Sequence, residues 1–233
     1  MAFTVKIKRQ ENAESESYWQ SFLCDGNADM SVAAVLNEMN RRVPLIDADG
    51  SGADPVAWEC GCLVRKCGAC AMRINGLPRL ACNTFLRDLK DGAATIEPLS
   101  KFPLVRDLVV DRGIVFNNLK TLNLWLDGEA HMSDWTHELR YQSAKCLMCG
   151  CCLEVCPNFS PGGDFAGAVA AISGFRVFDQ SHQSKHLGEV AAAYRKRYFE
   201  GCGRSLSCHD ICPIGLPVEE LMVRSNAAAV WGR

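Results

Sequence analysis

The sequence predicts two domains in series, an α+β unit over residues 1–103 followed by an all-α unit over residues 104–233. Three observations predict it. Apolar residues alternate with polar ones near the N-terminus and change to helical spacing after Pro98 and Pro103. A chain of 233 residues is long enough for two compact units, each with its own core. Finally, eleven of the 14 cysteines fall into three short runs, one before the changeover and two after it.

In the first domain, Phe3-Thr4-Val5-Lys6-Ile7-Lys8 alternates as a half-buried strand does. A second strand around Tyr18 to Phe22 pairs with it across a polar stretch. From Ser31, the positions Val32, Val35, Leu36 and Met39 share one helical face, with Asp29 or Ser31 as N-cap and an end near Arg41-Arg42 before Pro44. Asn75-Gly76 between apolar-rich flanks marks a hairpin, because both turn residues tolerate positive φ. Ile96 and Glu97 finish the last strand.

The second domain reads as helical throughout. Leu108, Val109, Val115, Leu119 and Leu122 have helical spacing over 105–123, with Gly113 a weak point that splits the segment. Gly162-Gly163 opens another helical stretch towards Phe178, and Leu187 to Phe199 reads as a third helix. The cysteine runs are expected in the turns between such helices.

The first run, Cys62-x4-Cys67-x2-Cys70-x11-Cys82, has the C-x4-C-x2-C opening of plant-type [2Fe–2S] ferredoxins. The Asn75-Gly76 hairpin is expected to return Cys82 to the loop carrying the other three ligands, where Gly61 and Gly68 suit a backbone that bends closely around sulfur. The second run, Cys146-x2-Cys149-x2-Cys152-x3-Cys156-Pro157, has the bacterial ferredoxin spacing. The third, Cys202-x2-Ser205-x2-Cys208-x3-Cys212-Pro213, repeats it with serine at the second position.

Under the ferredoxin rule of exchanged fourth cysteines, Cys146, Cys149 and Cys152 share a [4Fe–4S] cluster with Cys212. Cys156, Cys202 and Cys208 are then left for the other site, where the expected centre is [3Fe–4S]. A Ser205 hydroxyl that ligates a labile fourth iron is the alternative. The fold class is therefore an α+β plant-type ferredoxin (β-grasp) domain followed by an all-α bacterial-ferredoxin-like domain.

Other readings of the cysteines fit less well. Zinc takes four thiolates from paired C-x2-C knuckles, which explains neither the three-interval run nor its duplicate. The first twenty residues hold no apolar h-region, so nothing marks export to a compartment where disulfides form. Cys60 and Cys151 are expected as free thiols near a cluster, and Cys24 as a small buried hydrophobe. A net charge of −2 with scattered basic residues gives no reason to expect nucleic acid. No segment approaches the apolar length that crosses a bilayer.

The order of these three runs resembles the iron–sulfur subunit of succinate dehydrogenases and fumarate reductases. The likeness extends to Phe85-Leu86-Arg87-Asp88 after the hairpin and to Phe102–Asp111 at the domain junction. Val56–Leu63 and Cys152–Asn158 look most like members whose anchor is a single dihaem cytochrome b using menaquinone. Ubiquinone-type members have a tryptophan where this chain has Pro161 and a histidine where it has Gly203, and both help bind quinone in those relatives.

What the resemblance implies is a relay. A flavoprotein subunit with covalently held FAD interconverts succinate and fumarate, and electrons pass through [2Fe–2S], [4Fe–4S] and [3Fe–4S] centres to haem or quinone in a membrane anchor. The chain would sit peripherally on the cytoplasmic face of the cell membrane and hold no acid, base or nucleophile for the organic step. Two rivals stand beside this reading. One is a carrier subunit of another oxidoreductase, such as a thiol-linked fumarate reductase, although those relatives append a Cys-Cys-Gly domain and this chain ends soon after Cys212. The other is a free ferredoxin-like carrier, which would usually be smaller and more acidic.

Overall fold

The computed structural model describes residues 2–89, 93–131, 133–181 and 185–232. They form two compact units, Met1–Asp111 and Arg112–Arg233.

The first unit is built on a five-stranded mixed sheet. β1 (Ala2–Arg9) pairs antiparallel with β2 (Tyr18–Asp25), and the strand order across the sheet is β2, β1, then Ala93–Glu97 (β7), Ala71–Ile74 (β5) and Leu77–Leu80 (β6). The central pair, β1 with β7 (Ala93–Glu97), is parallel. That pairing needs a crossover, and α1 (Val32–Asn40) lies within it. Alternation along β1 buries Phe3, Val5 and Ile7, while α1 buries Val32, Val35, Leu36 and Met39 on one face. The Ser31 hydroxyl caps α1 by accepting from the Ala34 amide at 3.2 Å. Two-residue strands β3 (Leu45–Ile46) and β4 (Gly52–Ala53) form a separate small ladder.

β5 (Ala71–Ile74) and β6 (Leu77–Leu80) close a hairpin through Asn75 and Gly76, whose φ values of 50° and 79° are the left-handed pair the Asn-Gly signal predicts. The Asn75 side chain also accepts from the Thr95 amide at 2.7 Å and so ties the turn to β7.

Residues 104–111 depart from the helical expectation and lie in the first unit, not the second. They form a hairpin of β8 (Leu104–Arg106) and β9 (Val109–Val110). Asp107 turns the chain with φ 47°, and its buried carboxylate explains why the hairpin stays with the first unit. It accepts from Arg9 Nε at 3.0 Å, an Arg9 terminal nitrogen at 3.1 Å, the Gln10 amide at 3.1 Å and the Ala57 amide at 2.9 Å. Helical spacing could not reveal this, because the partners of Asp107 are distant in sequence. Gly113 does not split a helix but begins one, α2 (Gly113–Lys120).

In the second unit the described elements are helical: α2, α3 (His137–Ala144), α4 (Cys151–Val155), α5 (Ala168–Gln180), α6 (Lys185–Tyr194), α7 (Ser207–Asp210) and α8 (Val218–Trp231). A π-helical turn, Arg195–Phe199, extends α6. α5 is the centre of the core, with Ala170, Ala171, Ile172, Phe175 and Phe178 buried beside Tyr194 and Tyr198 and beside Leu221 and Met222 of α8. The Ser225 hydroxyl donates to the Ala171 carbonyl at 2.8 Å and pins α8 to α5. The helix expected to open at Gly162-Gly163 starts at Ala168 instead. Gly167, at φ 74°, turns the chain where an added Cβ would fall 2.1 Å from a Leu153 methyl.

Candidate metal centres

None of the 14 cysteines is in a disulfide. In the first unit, residues 59–70 form an irregular loop in which Leu63, Arg65 and Gly68 have positive φ. Left-handed residues at such spacing turn successive amides towards one side. Sulfur receives them: the Val64 and Lys66 amides donate to Cys62 Sγ at 3.4 and 3.1 Å, and the Cys62 amide donates to Cys67 Sγ at 3.4 Å. The Val64 and Lys66 amides lower the Cys62 thiol to about 7. Gly61 allows the close approach, since a Cβ there would sit 3.3 Å from Cys67 Sγ.

The hairpin then does what its position suggests. Cys70 immediately precedes β5 and Cys82 follows β6 in a 3-10 turn, Ala81–Asn83. The Ala81 amide donates to the Cys70 carbonyl at 3.0 Å, and the two thiols interact. Both are buried, and burial pushes Cys70 up to about 12.

In the second unit the two remaining runs fold as copies of one backbone. Met148 and Gly150 follow Cys146 with φ 50° and 89°, and Arg204 and Leu206 follow Cys202 at the same offsets with φ 56° and 58°. Each left-handed pair leads into a short helix, α4 or α7. The repeat read in the cysteine spacing is thus present in the dihedral angles.

Two cavities lie along these copies. The first, with an empty volume of about 390 Å³, is lined by Cys146, Cys149, Cys152, Cys208 and Cys212, with Val169, Ile172, Leu216 and Val218 among its apolar walls. The second, of about 330 Å³, is lined by Cys156, Cys202 and Cys208, with Ser205, Asn158, Phe165, Tyr198 and Met222. Cys212 therefore opens onto the cavity of the distant run, and Cys156 onto that of the third. The Leu216 amide donates to Cys212 Sγ at 3.4 Å. Burial pushes Cys146 and Cys208 up to about 11, and Cys152 well above its usual range. Cys149 goes the other way, to about 7, chiefly because the Cys151 thiol donates to it.

Cys151, expected near a cluster, is buried against Cys149. Cys24 is buried and Cys60 exposed. Ser205 is exposed at the second cavity and accepts from the Ser207 hydroxyl at 3.3 Å. Sequence reasoning missed the walls: Val169, Ile172, Tyr198 and Met222 belong to no motif. Their signal is only that they sit on apolar helix faces flanking the cysteine runs.

The donor chemistry fits polynuclear iron. The thiols ring cavities, as suits a cluster whose own irons and sulfides stand between its ligands. Backbone amides aimed at sulfur, and the buried Tyr198 hydroxyl, which lies beside the Cys202 thiol at the second cavity without a hydrogen bond of good geometry, complete the match.

Fold and sites together define an iron–sulfur electron-transfer protein. A family described as a 2Fe-2S iron-sulfur cluster binding domain matches residues 4–117, and one described as a 4Fe-4S dicluster domain matches residues 142–216. The succinate dehydrogenase iron–sulfur subunit of Bacillus subtilis is 34% identical over 94% of this chain and 89% of its own length. The fumarate reductase iron–sulfur subunit of Wolinella succinogenes is 28% identical over 93% of this chain and 92% of its own. Among solved structures, a chain of the Mycobacterium smegmatis Sdh1 complex in the apo form shares the fold, with a TM-score of 0.76 at 20% identity over 100% of this chain and 97% of its own. The chain belongs to the family of iron–sulfur subunits of succinate dehydrogenases and fumarate reductases. It is an electron-transfer subunit of that oxidoreductase class, and iron–sulfur clusters are its cofactors. No helix among the described residues is long and apolar enough to cross a membrane.

Proposed function

We propose that Cys62, Cys67, Cys70 and Cys82 hold a [2Fe–2S] cluster, that Cys146, Cys149, Cys152 and Cys212 hold a [4Fe–4S] cluster, and that Cys156, Cys202 and Cys208 hold a [3Fe–4S] cluster. The three form a relay between a FAD-containing succinate/fumarate flavoprotein subunit and a membrane cytochrome b, a dihaem anchor using menaquinone, with the chain peripheral on the cytoplasmic face. The domain boundary of this reading falls after Asp111, and the two domains are of plant-type ferredoxin (β-grasp) and bacterial-ferredoxin-like kind. The observation that supports the ligand sets most is the lining of the two cavities, which groups Cys212 with the second run and Cys156 with the third.

A bound cluster supplies one-electron exchange, and the chain sets the conditions for it. In the first unit, the amides of Val64 and Lys66 face a ligand sulfur and stabilise negative charge on it. In the second, Val169, Ile172, Leu216 and Val218 exclude water and lower the local dielectric, which strengthens the effect of each remaining dipole. The Leu216 amide on Cys212 Sγ is one such dipole.

The test is low-temperature EPR with iron and sulfide analysis on oxygen-free protein. A three-iron signal in the oxidised sample, with [2Fe–2S] and [4Fe–4S] signals on reduction, is expected. Ser205→Cys is expected to convert the third site to a four-iron cluster; a three-iron cluster of unchanged potential in that variant would refute the reading that the missing thiolate at position 205 limits this site to three irons.

A further inference from the structure

Two tyrosines four residues apart, both buried, differ in one respect. Tyr194 is 0% exposed and its hydroxyl donates to Asn226 Oδ1 at 2.8 Å. Tyr198 is 1% exposed, and its hydroxyl makes no hydrogen bond of good geometry, although the Cys202 thiol lies beside it. A buried hydroxyl without an acceptor is unfavourable, and phenylalanine would fill the same space without that cost. The orphan hydroxyl therefore calls for an acceptor.

The surroundings of Tyr198 indicate which. It lines the cavity that also holds the thiols of Cys156, Cys202 and Cys208, and Cys202 is the thiol beside its hydroxyl. The residue sits on the π-helical turn Arg195–Phe199. Such turns are rare and interrupt the regular helical phase, often at functional sites. Its ring is held on two sides: Phe165 stacks on it with centroids 5.7 Å apart, and Tyr194 packs at 5.0 Å. A clamped ring leaves the hydroxyl little freedom to turn elsewhere.

We propose that the Tyr198 hydroxyl donates a hydrogen bond to a sulfur of the cluster held at the third site and thereby raises the reduction potential of that cluster. The inference rests on the ligand set proposed above for that site. Reduction adds negative charge to the sulfurs, so a donor aimed at one of them stabilises the reduced state more than the oxidised one. Tyr198 is a potential-setting residue in this account and takes no part in holding iron.

The test is Tyr198→Phe in the full chain with its clusters, prepared without oxygen and titrated potentiometrically by EPR. The three-iron signal is expected to persist with a lower midpoint, the equilibrium for its reduction falling several-fold, where tenfold corresponds to ~59 mV for one electron. The [2Fe–2S] and [4Fe–4S] midpoints are expected to stay in place. An unchanged three-iron midpoint, or an equal shift of all three, would overturn the proposal. If the variant loses its third cluster, hyperfine spectroscopy of the unsubstituted protein reconstituted in D2O decides. A deuteron strongly coupled to the oxidised three-iron signal is expected, and its absence refutes the hydrogen bond. Absence of any three-iron signal in the unsubstituted protein is a separate outcome, which refutes the ligand reading and this inference with it.

Discussion

The metal-binding regions of the two units are made by different parts of the chain. In the first unit a single loop curls around its sulfurs, with left-handed residues at Leu63, Arg65 and Gly68 and amides donating to Cys62 and Cys67. The backbone forms much of the site there; Cys67 is exposed, while Cys70 and Cys82 beside the hairpin are buried. In the second unit the cavities are walled by side chains of packed helices, and each takes a thiol from the more distant run. The thiol shifts follow local surroundings within each unit: in the first, amides lower Cys62 while burial raises Cys70, and in the second, burial raises Cys146, Cys152 and Cys208 while the Cys151 thiol lowers Cys149. A loop site depends on local conformation, and a core site depends on the fold around it.

The sharpest way to break that comparison is to remove one ligand from the core. Cys212→Ala is expected to abolish the [4Fe–4S] signal and to loosen α5 against α8, because the cavity left among apolar walls loses the group that filled it. The [2Fe–2S] signal should remain. EPR with iron counting and far-UV circular dichroism reads both halves of the statement; loss of all three clusters together would mean that the units are not independent.

Next in size is the anchor of the first unit. Asp107→Ala leaves Arg9 buried without its carboxylate, and Arg9 is only 3% exposed. Breaking a buried pair in this way costs about 3–5 kcal/mol. The thermal transition of the first unit should fall steeply while that of the second holds, as calorimetry on the intact chain would register. Asp107→Asn, which keeps acceptor capacity on one oxygen, should fall between the two.

Gly76→Ala sharpens the comparison at the hairpin that carries Cys82. The position has φ +79° and nothing within 4 Å of an added Cβ, so the substitution tests backbone strain alone. A loss of about 1 kcal/mol is expected, with the [2Fe–2S] spectrum unchanged. A changed spectrum would show that the turn positions the ligand as well as closing the sheet.

The smallest effect is expected at the helix contact. Ser225→Ala removes the donor to the Ala171 carbonyl and should cost about 1 kcal/mol, seen as a small fall in the urea midpoint of the second unit. A much larger fall would mark α5–α8 packing as the main support of the cavities.

Local signals carried much of the fold. The Asn75-Gly76 turn, the alternation of β1, the capped face of α1 and the duplicated cysteine spacing were all legible, because each rests on a preference that neighbouring residues express together. The segment 105–111 was misread as helix for the complementary reason. Its apolar spacing suits either structure, and the choice was made by Asp107 meeting Arg9, Gln10 and Ala57 across the first unit.

The sequence by itself determined the chemistry of this protein: three runs of sulfur ligands, their spacing, the serine that interrupts the third, and the order of an α+β and a helical unit. Tertiary structure alone decided which thiols face one cavity, which helix faces wall it and which hydroxyl is left without a hydrogen bond of good geometry there. The physical reason is range. Ligand type and turn geometry are properties of a few adjacent residues, whereas a buried cavity is the space left when helices distant in sequence pack, and no periodicity in the chain records its outline.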